Sequence, residues 1–108
     1  MFKISNKVRR LTNDEKDKYF KDGYLTGLPV FDDEAKNDLN DLFVSLSSRL
    51  SSDIDINQTN MWHKASLKFY NLCRTPAILD YVEDLLGPNF FQWGGQFFLK
   101  EPKDGSVV

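Results

Sequence analysis

The chain has little of the chemistry that secreted mini-domains and metal centres usually require. It contains a single cysteine, Cys73, which excludes an internal disulfide framework and fits a reducing compartment. Cys73 stands among apolar neighbours, a setting typical of a packed residue rather than of a nucleophile. The sequence also has one histidine, His63, and one imidazole cannot form a transition-metal site by itself. Composition alone therefore gives no complete catalytic centre.

Signals for export, membranes and nucleic acids are also missing. No apolar run approaches the roughly 20 residues that a membrane-spanning helix requires, and the first residues lack the apolar stretch of a signal peptide. The formal net charge of −2 provides no general attraction to nucleic acid. Neither a phosphate-binding glycine loop nor a nucleophile elbow occurs. We therefore expect a cytoplasmic protein with no membrane partner and no nucleic-acid partner.

What the chain does have is enough apolar residues for one modest core. Its 108 residues correspond to one domain or less, and 41% of them are hydrophobic. The first helix is clearly marked, because Thr12 and Glu15 match a capping box and Gly23 provides a left-handed stop after Asp22. The three residues that follow, Tyr24 to Thr26, are predicted to form a short strand.

Two further helices are predicted from the spacing of apolar residues. One lies within Phe31 to Ser52, capped by one of the two aspartates after Phe31, and its apolar stripe is ordinary core packing. The other runs between a Thr75 cap and a Gly87 stop. Between them, residues 53–60 are predicted to be a polar loop, and residues 61–71 fit either a strand or a helix start. The stripe of the last helix is predicted to be buried and consists of Ile78, Leu79, Val82, Leu85 and Leu86.

The hydrophobic period changes to two near the end of the sequence, which predicts a strand over residues 89–101. One face is expected to pack against the helices: Phe91, Trp93, Gly95, Phe97 and Leu99. The other face mixes aromatic, amide and ammonium groups: Phe90, Gln92, Gly94, Gln96, Phe98 and Lys100. This mixture is typical of a binding cavity, but a sheet with one solvated face shows the same alternation. The Gly94-Gly95 pair indicates a bulge or a close approach of ligand or backbone.

One long strand after three helices leaves an unpaired edge, which a finished domain avoids. We therefore expect an α+β fold, with a helical part over residues 11–87 and a first core strand over residues 89–101. The sheet is expected to continue beyond Val108.

Four stretches, in this order, resemble the phytanoyl-CoA dioxygenase family of iron(II)- and 2-oxoglutarate-dependent oxygenases. They are LTNDEKDKYFKDGYLTGLPVF, the long second helix, PAILDYVEDLLGPN, and FFLKEPKDGS, which is similar to the family's strand into Lys-x-Pro-x-x-Gly. The resemblance covers residues 11–108 and depends on order and spacing, because no single stretch is highly specific.

The resemblance implies that residues 1–108 are the N-terminal portion of one oxygenase domain. Its helices would pack on the beginning of a double-stranded β-helix, a jelly-roll or cupin-like sheet that is truncated here. The cofactors implied are Fe(II) and 2-oxoglutarate, and the family couples decarboxylation of 2-oxoglutarate to oxidation of a substrate C–H bond. In the family a His-x-Asp pair, a distal His and an Arg for 2-oxoglutarate come later, so they lie beyond Val108. No metal ligand or catalytic residue is assigned within the chain.

The resemblance also implies binding roles for six residues. Gln96, Lys100 and, by a looser match, Lys64 are the candidates for binding 2-oxoglutarate, since an amide hydrogen-bonds a carboxylate and an ammonium neutralises it. Lys100 fits equally well a lysine that faces water at the end of a strand, and a lone histidine such as His63 is more often a packed or surface residue. The candidates for binding substrate are Gln92, Trp62 and His63.

Three functions remain open at this point. The first is the N-terminal fragment of a dioxygenase that acts on a small-molecule or acyl-type substrate, although some relatives lose the ligand Asp and halogenate instead. The second is a small α+β module without catalytic activity, which uses the Gln92, Gln96 and Lys100 face to bind a ligand or a partner. The third is a non-catalytic family member that acts as a scaffold. The oligomeric state does not follow from the sequence.

Overall fold

A computed structural model describes residues 1–105, which contain five α-helices joined by loops. The helices are α1 (Asn13–Asp22), α2 (Asp33–Ser47), α3 (Trp62–Ala65), α4 (Leu67–Cys73) and α5 (Pro76–Leu86). A 3-10 turn, Ile56–Gln58, lies between α2 and α3. None of the described helices is both long and apolar enough to cross a membrane. The end of the sequence resemblance, residues 106–108, lies outside the described residues.

The predicted start and stop of α1 are confirmed. The Thr12 hydroxyl accepts a hydrogen bond from the Glu15 N–H at 3.2 Å, and the Glu15 carboxylate accepts one from the Thr12 N–H at 3.0 Å. Gly23 ends the helix with a φ of 86°. For α2, Asp32 is the cap, since its carboxylate accepts from the Ala35 N–H at 2.9 Å. This helix ends at Ser47, earlier than predicted, where serine hydroxyls bond carbonyls three residues back.

The predicted α+β architecture is wrong. Within residues 1–105 there is no strand and no sheet, and the residue pairing that resembles one is an isolated antiparallel bridge between Ile4 and Phe31. Residues 24–26 do not form a strand, and residues 61–71 fold as α3 and α4. Residues 89–101 pair with no other strand among the described residues, so the helices do not pack on the start of a jelly-roll sheet. Alternation predicts extended backbone, but a ladder also requires a backbone partner.

The hydrophobic core lies between α2 and the chain that follows it. Five buried residues form its centre: Leu42, Leu46, Ile56, Trp62 and Phe69. Half-buried apolar residues from both ends of the chain pack against this centre: Phe2, Phe43, Leu50, Leu72, Cys73, Phe97 and Leu99. The terminal stretch therefore contributes to the core although it belongs to no sheet.

Helix α5 is attached to the chain by a face different from the one predicted. Its buried residues are Ala77 and Tyr81, and the Tyr81 hydroxyl donates to the Pro29 carbonyl at 2.8 Å. Asp84 lies on the same face, because positions i, i+4 and i+7 of a helix are neighbours. The predicted buried stripe is wrong: Ile78, Leu79, Val82 and Leu85 are half-buried, and Leu86 is 63% exposed. Polar contacts, and not the most apolar residues, determine how α5 is turned.

Asp84 connects α5 to the segment that precedes α1. Its side chain is 8% exposed and accepts hydrogen bonds from Arg10 Nε at 2.9 Å, Arg10 Nη2 at 2.6 Å and the Leu11 N–H at 2.9 Å. The Arg10 guanidinium, together with the Leu11 N–H, lowers the pKa of Asp84. Nearby, the Arg9 guanidinium and the Thr12 N–H lower the pKa of Glu15 to about 2. Both carboxylates therefore stabilise the fold in their ionised form.

We expect Asp84→Asn to lower the free energy of unfolding at pH 7 by about 1–2 kcal/mol, because charged hydrogen bonds are lost but Arg10 stays partly hydrated. The folded-state pKa of Asp84 is lowered, so its contribution is complete above the unfolded pKa of about 4 and is lost as the pH falls through the folded pKa. Chemical denaturation from pH 7 to pH 3 should show the difference between the two proteins shrinking with acid.

The matched control is Glu83→Gln, which removes a charge 3.7 Å from Arg10 that is 43% exposed. We expect this variant to unfold within about 0.5 kcal/mol of the unmodified chain. Equal effects of the two substitutions, or a difference for Asp84→Asn that stays constant with pH, would contradict the role assigned to Asp84.

Candidate functional site

The terminal segment, defined as residues 90–100, lies against the helices through one phenylalanine. The ring of Phe97 makes edge-to-face contacts with three rings, at centroid distances of 5.2 Å to Phe43, 5.9 Å to Trp62 and 5.4 Å to Phe69. These three rings belong to α2, α3 and α4, so Phe97 joins three elements at one point. Such aromatic pairs each contribute about 0.5–1.5 kcal/mol beyond the burial of their area.

Asparagine side chains hold the backbone of the terminal segment. The Asn57 amide donates to the Leu99 carbonyl at 3.1 Å and accepts from the Leu99 N–H at 2.5 Å. The Asn60 side-chain oxygen accepts from the Gly95 N–H at 3.2 Å, and the Trp62 N–H donates to the Gly95 carbonyl at 3.3 Å. A primary amide carries a donor and an acceptor in the geometry of a peptide group. These side chains therefore occupy the place that a neighbouring strand takes in a sheet.

The asparagine loop, defined as residues 55–61, is itself fixed by local hydrogen bonds. The Asp55 carboxylate accepts from the Asn57 N–H at 2.9 Å, and the Trp62 indole N–H donates to the Thr59 hydroxyl at 2.8 Å. Asn60 also accepts from the Met61 N–H at 2.6 Å. Met61 has a φ of 64°, a left-handed conformation that is uncommon for residues other than glycine. Such strain persists where surrounding contacts over-determine the backbone, and it is frequent at functional sites.

The close approach that the glycine pair predicts occurs at Gly95. A Cβ atom at this position would lie 3.0 Å from Phe69 Cε1 and 3.0 Å from Gln92 Nε2. It would also lie 3.4 Å from His63 Nδ1. The absence of a side chain at Gly95 therefore allows the terminal segment to lie directly on α3 and α4.

The two candidate glutamines do not share a cavity. Gln96 is exposed and lies in an open groove of about 380 Å³, whose other lining residues are Asn60, Trp93, Gly94, Gly95 and Phe98. The Gln92 amide turns back, donating to the Gly94 carbonyl at 2.9 Å and to Cys73 Sγ at 3.2 Å. Gln92 lines a separate apolar groove of about 510 Å³, together with Leu72, Cys73, Ile78, Leu79, Val82, Phe90 and Phe91.

The remaining candidates lie in three different settings. Lys64 and Lys100 are exposed, line neither of these two grooves, and make no ion pair within residues 1–105. Trp62 is 8% exposed and belongs to the core, with its indole N–H already donated to Thr59. His63 is half-buried, and its Nδ1 atom is buried without a hydrogen-bond partner among the described residues. The structure thus brings His63 close to Gly95 but does not gather the three candidates for 2-oxoglutarate.

The described residues do not fit an iron centre. Within residues 1–105, no three His, Cys, Asp or Glu side chains are grouped so that they could hold a metal ion. The donor chemistry for a dicarboxylate is present, since the Gln96 amide and the Lys100 ammonium are exposed and no hydrogen bond within this range occupies them. These two side chains are thus available for a carboxylate, although neither shares a closed pocket with Lys64.

Asn57 and Asn60 are the functional residues that the sequence did not predict. They lie in a stretch that was expected to be only a polar loop, yet both bind the backbone of the terminal segment. The available signal was the presence of two asparagines three residues apart, just before the buried Trp62. Their partners lie 35 and 42 residues further along the chain, so the pairing is invisible to local pattern.

We expect Phe97→Ala to lower the free energy of unfolding by about 2–3 kcal/mol, since a half-buried ring and three aromatic contacts are lost together. Phe20→Ala, which removes a ring that is 67% exposed on α1, is the control and should change stability by about 0.5 kcal/mol or less. Urea denaturation followed by circular dichroism compares the two. Similar losses in both variants would show that Phe97 does not join the helices.

We expect Asn57→Ala to release the end of the terminal segment while the helices persist, because both backbone bonds at Leu99 are lost. Hydrogen exchange should show the Leu99 amide exchanging faster, by about tenfold or more, with little change at core amides. The control is Gln58→Ala, an exposed neighbour whose side chain binds nothing within residues 1–105. Unchanged protection of Leu99 in Asn57→Ala would contradict the pairing.

No protein-family model, no curated protein and no solved structure matches this chain. The likeness to the oxygenase family therefore depends on the four stretches and their order.

Proposed function

We propose that the chain is the N-terminal part of an iron(II)- and 2-oxoglutarate-dependent oxygenase of the phytanoyl-CoA dioxygenase type. The observation that carries the proposal is the contact of two distant segments at Gly95. The sequence resemblance expects Trp62, His63 and Lys64 to approach the co-substrate region that contains Gln96. In the structure Asn60, Trp62 and His63 all lie against Gly95, next to Gln96 in the chain. This agreement between distant positions supports a shared site.

The role proposed for these residues is to hold the co-substrate. The exposed Gln96 amide donates a hydrogen bond to a carboxylate of 2-oxoglutarate, and the Lys100 ammonium neutralises its charge. Both side chains are available, because no ion pair or hydrogen bond within residues 1–105 occupies them. The iron-binding residues are proposed to belong to a His-x-Asp sequence that is not among the described residues. No step at the metal is derived from the residues present.

The first experiment extends the gene sequence past Val108, where we expect codons for His-x-Asp within a few residues. In the encoded protein, Gln96→Ala should raise the KM for 2-oxoglutarate about tenfold or more, since a hydrogen bond to a charged group is lost. Release of succinate with iron(II) and 2-oxoglutarate present measures this. Gln58→Ala, which removes an exposed glutamine on the asparagine loop, should leave the KM unchanged.

The same proposal predicts that residues 1–108 alone bind iron(II) without stoichiometry, because no group of metal ligands lies within residues 1–105. Isothermal titration of the chain with iron(II) and 2-oxoglutarate tests this. Stoichiometric binding of iron, or a gene without His-x-Asp after Val108, would overturn the assignment.

A second candidate is a non-catalytic module that binds a partner, and a specific observation favours it. Phe91, Trp93 and Phe98 are 80%, 84% and 68% exposed, which is unusual for three aromatics within eight residues. A gene that ends at Val108, with a cooperatively folding product, would favour this function over the oxygenase.

A further inference from the structure

The exposed aromatics of the terminal segment form one continuous apolar surface with α5. The 510 Å³ groove runs from Ile78, Leu79 and Val82 of α5 to Phe91. The ring of Phe91 contacts the ring of Trp93, at a centroid distance of 6.4 Å. Trp93 in turn lines the 380 Å³ groove together with Phe98. We call this surface the aromatic face; it comprises Ile78, Leu79, Val82, Phe91, Trp93 and Phe98.

The chain exposes more surface than a compact monomer of its mass. Its accessible area is 8078 Å², whereas a folded monomer of 12.5 kDa is expected to expose roughly 6,200 Å². The radius of gyration, 15.6 Å, also exceeds the value of about 13 Å expected for this length. The excess of roughly 1,900 Å² is larger than the area of about 800 Å² per partner that a stable interface buries. An interface of ordinary size therefore fits within the surplus.

The charge distribution indicates what kind of partner the face accepts. Of the 108 residues, 30 are charged, yet residues 89–99 contain no charged side chain. In a two-fold symmetric dimer, residues near the axis lie opposite their own copies, so a charge there would meet a like charge. The neutral stretch avoids this repulsion. A partner with a charged surface would find no complementary charge on the segment.

The backbone of the segment has one satisfied edge and one open edge. The N–H and C=O groups of Gly95 and the same groups of Leu99 are bonded to the asparagine loop and to Trp62. In an extended chain these groups alternate between the two sides. Those of Gln96 and Phe98 therefore point away from the loop, and no backbone hydrogen bond within residues 1–105 uses them. An edge of this kind pairs with its own copy in antiparallel orientation.

We propose that the aromatic face and the open edge at Gln96 and Phe98 bind a second copy of this chain, forming a two-fold symmetric dimer. Antiparallel pairing satisfies the open backbone groups, and Phe91, Trp93 and Phe98 become buried between the copies. The inference does not depend on the proposed oxygenase function, because a chain that dimerises need not bind 2-oxoglutarate, and a monomer is compatible with that activity.

Sedimentation velocity of the 108-residue chain tests the proposal over about two decades of protein concentration. We expect a concentration-dependent shift from the 12.5 kDa monomer to a species of twice that mass, with no larger assemblies. Trp93→Ser should raise the dimer dissociation constant about tenfold or more, since exposed tryptophans at interface centres dominate binding. The control, Phe20→Ser, removes an aromatic that is 67% exposed on α1 and should leave the constant unchanged.

Tryptophan fluorescence provides a readout at the face itself. The chain has two tryptophans, and Trp62 is buried in the core, so a change with concentration reports on Trp93. We expect the emission to shift to shorter wavelength as the dimer forms. A chain that stays monomeric throughout, open-ended assembly, or equal effects of Trp93→Ser and Phe20→Ser would each overturn the proposal. Circular dichroism of both variants must match the unmodified chain, which separates lost association from lost folding.

Discussion

The hydrogen bonds between asparagine side chains and the terminal segment are the constraint on which the rest of the arrangement depends. An extended backbone that lies on a hydrophobic core buries N–H and C=O groups, and each such group left unpaired costs about 1–3 kcal/mol. In most folds a neighbouring strand removes this cost. Here Asn57 and Asn60 remove it at Leu99 and Gly95, and the Trp62 N–H completes the set. The helices can therefore hold an extended segment without forming a sheet.

The positions of these bonds explain why the apolar face of the segment is divided. Gly95 and Leu99 bracket Phe97, so its ring is directed into the rings of three helices. Phe91 and Trp93 have the same parity but precede the first bond, and both are exposed. Near them the Gln92 amide bonds the Gly94 carbonyl, which turns the chain back on itself. The face predicted to pack on the helices is thus correct for Phe97 and Leu99 and wrong for Phe91 and Trp93.

Local chemistry was predictable from the sequence and long-range pairing was not. The Thr12 capping box and the Gly23 stop involve residues within one turn, so their signals lie next to each other in the chain. The alternation of the terminal segment predicted extended backbone but could not identify the partner of that backbone, which was a side-chain amide and not a strand. The orientation of α5 failed for a similar reason, because Asp84 and Tyr81 bind residues more than fifty positions away. Gln96 and Lys100 are exposed as a binding role requires, whereas Gln92 is turned toward Cys73.

The two proposals make opposite demands on the same few residues. Gln96 lines the 380 Å³ groove with its side chain, and its backbone belongs to the open edge. A second copy paired along this edge covers the groove through Trp93 and Phe98, so a ligand in the groove and a paired copy exclude each other. Two ligands that compete for one surface oppose each other by mass action. Occupancy of the groove therefore favours the monomer, and dimerisation reduces the affinity of the groove by the same factor, as linkage requires. The asparagine loop stands behind both events, because it leaves that one edge of the segment free.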